Sequence, residues 1–155
     1  MIYKGRAQCL VVRDNKILMV KHKQGNMEWY CSPGGGIEKG ETPEQAAVRE
    51  LQEECNVKGT IIKKTSEYAD PYDDSNFFYT YHVDIGSQTP CLGYDPEEGK
   101  TYSLVEVCWL SLDEICERDR VFLWSAGLLS IPQFAEELKS WSEDISYPNK
   151  RLERK

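Results

Sequence analysis

An α/β fold with a mixed sheet is what this sequence predicts, and three observations carry it. Short apolar runs bounded by turn formers recur on both sides of one strongly capped helix. A strand-like segment leads through glycines directly into that helix. The 155 residues suit one domain able to bury a substantial core without a partner. Residues 1–147 are read as that domain and 148–155 as a frayed tail, with no internal repeat.

The elements follow in order. A strand over Arg6 to Val12, a turn at Asp14-Asn15 and a strand over Lys16 to Lys21 form a β-hairpin. Trp29 to Ser32 is a short strand entering the turn Pro33-Gly34-Gly35-Gly36, where bare backbone can approach a ligand closely. The helix starts at Thr42, an N-cap, with Pro43 in its first position and Gln45 completing a capping box. Its apolar side is Ala47, Val48, Leu51 and Cys55, and Asn56 suits the left-handed conformation that ends a helix.

Strands are expected at Thr60 to Thr65, Phe77 to Ile85 and Val105 to Leu110, with a polar loop from Asp70 to Asn76. Ser87 to Tyr102, rich in Gly, Pro and acid, reads as a long loop. Leu112 to Ile115 reads as a short turn, and Val121 to Leu129 and Pro132 to Trp141 as helices.

The helix carries an electrostatic conflict. Glu50, Glu53 and Glu54 lie three and four apart, so they project from one side within about a 100° arc. Like charges so spaced destabilise a helix by roughly 0.2 to 0.5 kcal/mol per pair. Arg49 can pair with Glu53 at i,i+4, but one guanidinium does not neutralise three carboxylates. A divalent cation does, since hard ions such as Mg²⁺ take oxygen ligands and bind one or two carboxylates together with substrate phosphates. Standing alone, such a run would be a solvated helix face. The glycines at a fixed offset change that reading.

The positions Gly35, Glu41, Arg49, Glu50, Leu51, Glu53, Glu54 and Val57 fall at the spacing of the Nudix signature, and the chain resembles the Nudix hydrolase family, of the MutT-like kind. Asn56 stands where the signature has glycine; asparagine is the next most tolerant residue for a left-handed cap. The resemblance implies a Nudix α/β/α sandwich with a mixed β-sheet. It implies a metal-dependent hydrolase that cleaves a diphosphate linkage in a nucleoside diphosphate derivative or a nucleoside triphosphate.

It also implies Mg²⁺ or Mn²⁺ held by Glu50, Glu53, Glu54 and the backbone carbonyl of Gly34. Catalytic roles fall on Glu50, Glu53 and Arg49. The general base is one of the helix acids or a carboxylate of a later segment, for which Glu97, Glu98 and Glu106 are the candidates. Arg49 either contacts phosphate or orients the acids; its spacing to Glu53 favours the second role, with Glu41 in support.

Arg6, Lys21, Lys23, Gly35 and Gly36 are the substrate-binding candidates, although exposed strand ends explain the cations equally well. Trp29, Tyr30, Phe77, Phe78, Tyr79 and Tyr81 could stack on a base, with core packing favoured. Trp109 is read as structural. Pro71 and Tyr72 lie near, but not at, positions that mark two Nudix subfamilies. Neither His22 nor His82 has a spacing partner for a zinc site or a triad.

Composition bounds the rest. The net charge of −7 argues against a long nucleic acid as partner, while a small nucleotide arriving with metal stays compatible. No apolar run reaches the roughly 18 to 20 residues that span a bilayer. The cysteines Cys9, Cys31, Cys55, Cys91, Cys108 and Cys116 read as buried thiols, and no signal-peptide-like run precedes the first strand, so a cytoplasmic location is expected. A homodimer stays open. The competing class is a catalytically silent Nudix-like nucleotide-binding regulatory module, against which the intact acids argue.

Overall fold

The computed structural model describes residues 2–93 and 103–141. Its strands are β1 (Gly5–Leu10), β2 (Val12–Arg13), β3 (Lys16–Gln24), β4 (Met27–Cys31), β5 (Gly34–Gly36), β6 (Thr60–Asp70), β7 (Asp73–Asp84) and β8 (Ser103–Leu110). Helix α1 (Pro43–Cys55) lies between β5 and β6, and α2 (Glu117–Ser125) and α3 (Pro132–Lys139) follow β8. The expected tail at 148–155, and Glu97 and Glu98, lie outside the described residues.

The strands form two sheets. The first has the order β5-β1-β7-β6, with β1 parallel to β7 and antiparallel to β5, which makes it mixed as expected. In the second, β3 pairs antiparallel with β2, β4 and β8.

Period-two alternation sends successive side chains to opposite faces, and two cores result. Ala7, Cys9, Leu18 and Val20 pack with Ala46, Ala47 and Leu51 of α1. Their neighbours Leu10, Ile17 and Met19 turn the other way, onto Leu123, Leu128, Ile131 and Phe134 of the C-terminal helical region. Sheets between helical layers give the α/β/α sandwich. No helix among the described residues is long and apolar enough to cross a membrane.

Four expectations are corrected. The glycine run is a strand, not a turn, because β1 offers it a free edge: Ala7 faces Gly35 and Gln8 faces Gly34 in the ladder. The segment from Asp70 to Asn76 is a tight hairpin rather than a loop. Its turn formers serve the strand ends, since Asp70 Oδ1 accepts from the Tyr72 amide at 2.9 Å and Asp73 Oδ1 from the Ser75 amide at 3.0 Å.

The helix expected at Val121 to Leu129 starts earlier and stops at Ser125, followed by a 3₁₀ turn at Leu128–Ser130. Gly127 breaks it at φ 88°, where an added Cβ would stand 2.3 Å from the Thr65 carbonyl oxygen. Finally, Cys91 and Cys116 are exposed, and Cys31 and Cys108 only partly buried, because all four lie at or beyond strand or helix ends or on outer strands; only Cys9 and Cys55 are core thiols.

Candidate active site

Helix α1 forms for local reasons. Thr42 Oγ1 accepts from the Gln45 amide at 3.1 Å while Gln45 Oε1 accepts from the Thr42 amide at 2.9 Å, closing the capping box. Asn56 ends the helix at φ 57°, ψ 37°, the left-handed conformation its sequence position requires. Ala46, Ala47, Leu51 and Cys55 are buried against β1, with Val48 only half-buried.

That docking presses the acids onto β5. The absence of side chains there has a steric cause: a Cβ on Gly35 would lie 2.3 Å from Glu50 Oε1, and one on Gly34 would lie 2.5 Å from the Ala7 carbonyl oxygen. The Gly34 amide donates to Glu54 Oε1 at 2.9 Å, and Glu54 is only 3 % exposed. A buried carboxylate is tolerated when it is hydrogen-bonded, as it is here. Its charge acts on its surroundings: together with burial, the larger cause, it pushes the thiol of Cys55 far up and that of Cys31 up to about 12.

Arg49 is the hub. Nε and Nη2 donate to the two oxygens of Glu41 at 2.7 and 3.0 Å, a bidentate pair. Nη1 donates to Glu50 Oε1 at 2.9 Å and to Glu53 Oε2 at 3.2 Å, and Nη2 also to the Gly36 carbonyl at 2.9 Å. Glu38 lies 3.5 Å from Nε. The hydrogen bond from Arg49 holds the Glu41 carboxyl below its usual range, and Glu41, followed by Glu50, pushes the guanidinium pKa up. Arg49 therefore spends its donors on the acids and on β5.

One guanidinium thus faces Glu38, Glu41, Glu50 and Glu53, with Glu54 buried nearby. Among the described residues no three His, Cys, Asp or Glu side chains converge as a preformed metal cage. Glu50 and Glu53 are turned onto Arg49, and Glu54 onto Gly34. The donor set nevertheless fits a hard divalent ion: carboxylates on one helix face beside bare glycine backbone, with local negative charge in excess.

The cation candidates divide. Lys21 lies 3.3 Å from Glu28 and 3.8 Å from Glu106, and over the Tyr30 ring at 5.5 Å, so it is engaged within the second sheet. Glu106, a candidate base, is thereby a partner of Lys21. Lys23 is exposed at the end of β3. Arg6 sits in the first sheet between Gly36 on β5 and Phe78 on β7.

Register also assigns the aromatics. Phe77, Tyr79 and Tyr81 share the face of Ala7, toward α1, where Tyr81 donates to Glu44 at 3.0 Å. They line, with Tyr3, Pro43 and Glu44, a cleft of about 490 Å³ that contains none of the motif acids. Phe78 points to the opposite face with Arg6, and its cross-strand partner Tyr68 lies with ring centroids 5.3 Å away. Tyr68 escaped the sequence reading because only the β6–β7 register pairs it with Phe78. His22 stacks on Trp29 at 5.7 Å.

A mixed sheet between helical layers, carrying a capped acidic helix docked on a glycine strand, defines the class of protein. The NUDIX domain family model matches residues 3–130, and the chain belongs to the Nudix family. It is 35 % identical over 86 residues to human diphosphoinositol polyphosphate phosphohydrolase 3-alpha, covering 54 % of this chain and 52 % of that protein. It is 29 % identical over 108 residues to an ADP-ribose pyrophosphatase of Methanocaldococcus jannaschii, covering 67 % and 64 %. The chain thus spans about half the length of the first of these relatives. A NUDIX hydrolase structure from Nitrosomonas europaea shares the fold with a TM-score of 0.59, at 22 % identity, over 77 % of this chain and 78 % of that one.

Proposed function

We propose that this chain is a Nudix pyrophosphohydrolase that cleaves a diphosphate linkage in a small nucleoside diphosphate derivative or a nucleoside triphosphate, with Mg²⁺ or Mn²⁺. The observation that carries the reading is the Arg49 hub, which gathers Glu41, Glu50 and Glu53 beside the β5 backbone to which Glu54 is bonded. Glu50, Glu53, Glu54 and the Gly34 carbonyl are the groups to hold the ion. When bound, a divalent ion polarises phosphoryl oxygens and lowers the pKa of water.

The chain's own residues supply the rest. Arg49 and Glu41 fix the rotamers of Glu50 and Glu53, and the Gly34–Glu54 bond locks β5 to α1. Glu53 is the acid to take the proton from the attacking water, since its carboxylate is more exposed than that of Glu50, 27 % against 13 %, and its Arg49 bond is the longer. Gly36 leaves open space for phosphate beside the acids, and Gly35 lets the Glu50 carboxylate approach β5. Arg6, Phe78 and Tyr68 form a cation and aromatic shelf on one sheet face, suited to a base-bearing leaving group.

Charge favours a lightly phosphorylated substrate. The related human enzyme is named for diphosphoinositol polyphosphates and the archaeal one for ADP-ribose. Among the described residues Arg49 and Lys21 are engaged by carboxylates, and the net charge of −7 opposes a polyphosphorylated ring. A cytoplasmic location accords with six free cysteines. Light scattering decides whether two copies associate.

One experiment tests the reading. ADP-ribose, dinucleoside polyphosphates, nucleotide sugars, canonical and oxidised nucleoside triphosphates and a diphosphoinositol polyphosphate are incubated with the protein, with and without Mg²⁺ or Mn²⁺. Metal-dependent turnover lost in Glu54→Gln supports it. Nucleotide binding without turnover of any compound overturns it in favour of a silent module.

A further inference from the structure

The one departure from the family signature, Asn56, does something that glycine cannot. Its side-chain Nδ2 donates to Cys91 Sγ at 3.3 Å, across 35 positions of sequence. The same stretch makes two backbone bonds to the end of α1: the Cys91 amide donates to the Cys55 carbonyl at 3.0 Å, and the Gly93 amide to the Glu54 carbonyl at 2.9 Å. Gly93 lies so close that a Cβ there would stand 2.1 Å from the Glu53 carbonyl oxygen.

These are the carbonyls a helix leaves without intrahelical partners at its C-terminus. The last turn of an α-helix frays when they are met only by water. In this chain that turn carries Glu53 and Glu54. The capping box at Thr42 holds the far end of α1 and the Asn56 amide closes one bond to Gln52, but the carbonyls of Glu54 and Cys55 are met from outside.

We infer that Asn56, Cys91 and Gly93 are positioning residues: they clamp the last turn of α1 and so fix Glu53 and Glu54 for metal binding and turnover. The inference rests on the pyrophosphohydrolase reading for its consequence and on the clamp geometry for its cause. Partners that orient ligands matter for metal affinity by about 10- to 100-fold. Gly93 tolerates no side chain, since the atom it would strike is backbone. Asn56→Gly restores the signature residue and removes only the Nδ2–Sγ contact.

The test uses Gly93→Ala, Asn56→Gly and, as a control of fold stability, Phe134→Leu, which loosens the second core away from α1. Two readouts are taken: amide hydrogen exchange over residues 50–56 without metal, and Mn²⁺ affinity by calorimetry. Gly93→Ala is expected to speed exchange in that turn and weaken Mn²⁺ binding about 10-fold, with Asn56→Gly smaller in both, while Phe134→Leu lowers Tm and leaves both unchanged. Unchanged exchange in Gly93→Ala overturns the clamp. Faster exchange with wild-type Mn²⁺ affinity overturns the positioning role. A wild-type protein that binds no Mn²⁺ sinks the functional reading itself, a result visible before any variant is compared.

Discussion

The two surfaces that adjoin β5 are built in opposite ways. On the α1 side, the acids and Arg49 come from positions 38–54 and are tied by named hydrogen bonds to one another and to glycine backbone. On the opposite sheet face, Arg6, Phe78 and Tyr68 come from three strands and are brought together only by register. On the proposed reading the first surface carries the reaction, while the second is a shelf assembled by strand register. A scaffold divided in this way can keep one chemistry while its substrates vary.

Substitutions break that division in order of effect. Glu54→Gln keeps the shape, and an amide oxygen can still accept from Gly34, but the charge is lost. Turnover is expected to fall about 10²-fold or more while the fold persists, because a ligand matters more than the partners that orient it. Steady-state kinetics together with circular dichroism separate the two. Activity within a few-fold of wild type removes Glu54 from the site.

Arg49→Ala acts on both stability and activity. It leaves Glu41, Glu50 and Glu53 facing one another without their shared cation, and the expected cost is about 2 kcal/mol in urea unfolding, the scale of hydrogen bonds to charged groups. Mn²⁺ should restore part of it by replacing the missing positive charge, since a ligand that binds only the folded state stabilises it. A variant whose loss is identical with and without metal argues that the acids are not a cation site.

The shelf predicts a different signature. Phe78→Ala removes stacking surface without touching α1, so KM for a base-bearing substrate should rise roughly 10-fold, the equivalent of about 1.4 kcal/mol of lost contact, with kcat little changed. Tyr68→Ala should follow at a smaller amplitude, since Tyr68 is the more exposed ring. A fall in kcat at unchanged KM would place Phe78 among the residues that organise the reaction instead.

The same division explains what was legible in the sequence. The caps and the Arg49–Glu53 pairing follow from helical periodicity over adjacent residues, and both appear in the structure. The glycine strand resembles a turn in local sequence because its partner, β1, lies some 28 positions away in register. Tyr68 and the Cys91 contact were invisible for the same reason: sheet pairing and loop docking are long-range facts that no local pattern encodes. The hairpin at Asp70 was obscured in another way, by residues whose side chains bond their own backbone and so resemble a loop.

The smallest effect tests whether Arg49 is held through Glu41. The Glu41 carboxyl titrates below its ordinary value of 4.5 because Arg49 donates to it, with the Glu38 amide assisting. A folded-state pKa below the unfolded one means that the unfolded chain binds the proton first as pH falls. The contribution of Glu41 to stability is therefore complete above pH 4.5 and is lost as pH falls through the lowered folded value. Glu41→Gln has no charge to titrate there. The gap in unfolding free energy between wild type and variant should be widest near neutrality and narrow below pH 4.5, as read from urea titrations at a series of pH values. A gap independent of pH would mean that Glu41 supports Arg49 by shape and not by charge, and the charge pairing at the hub would then rest on Glu38, Glu50 and Glu53.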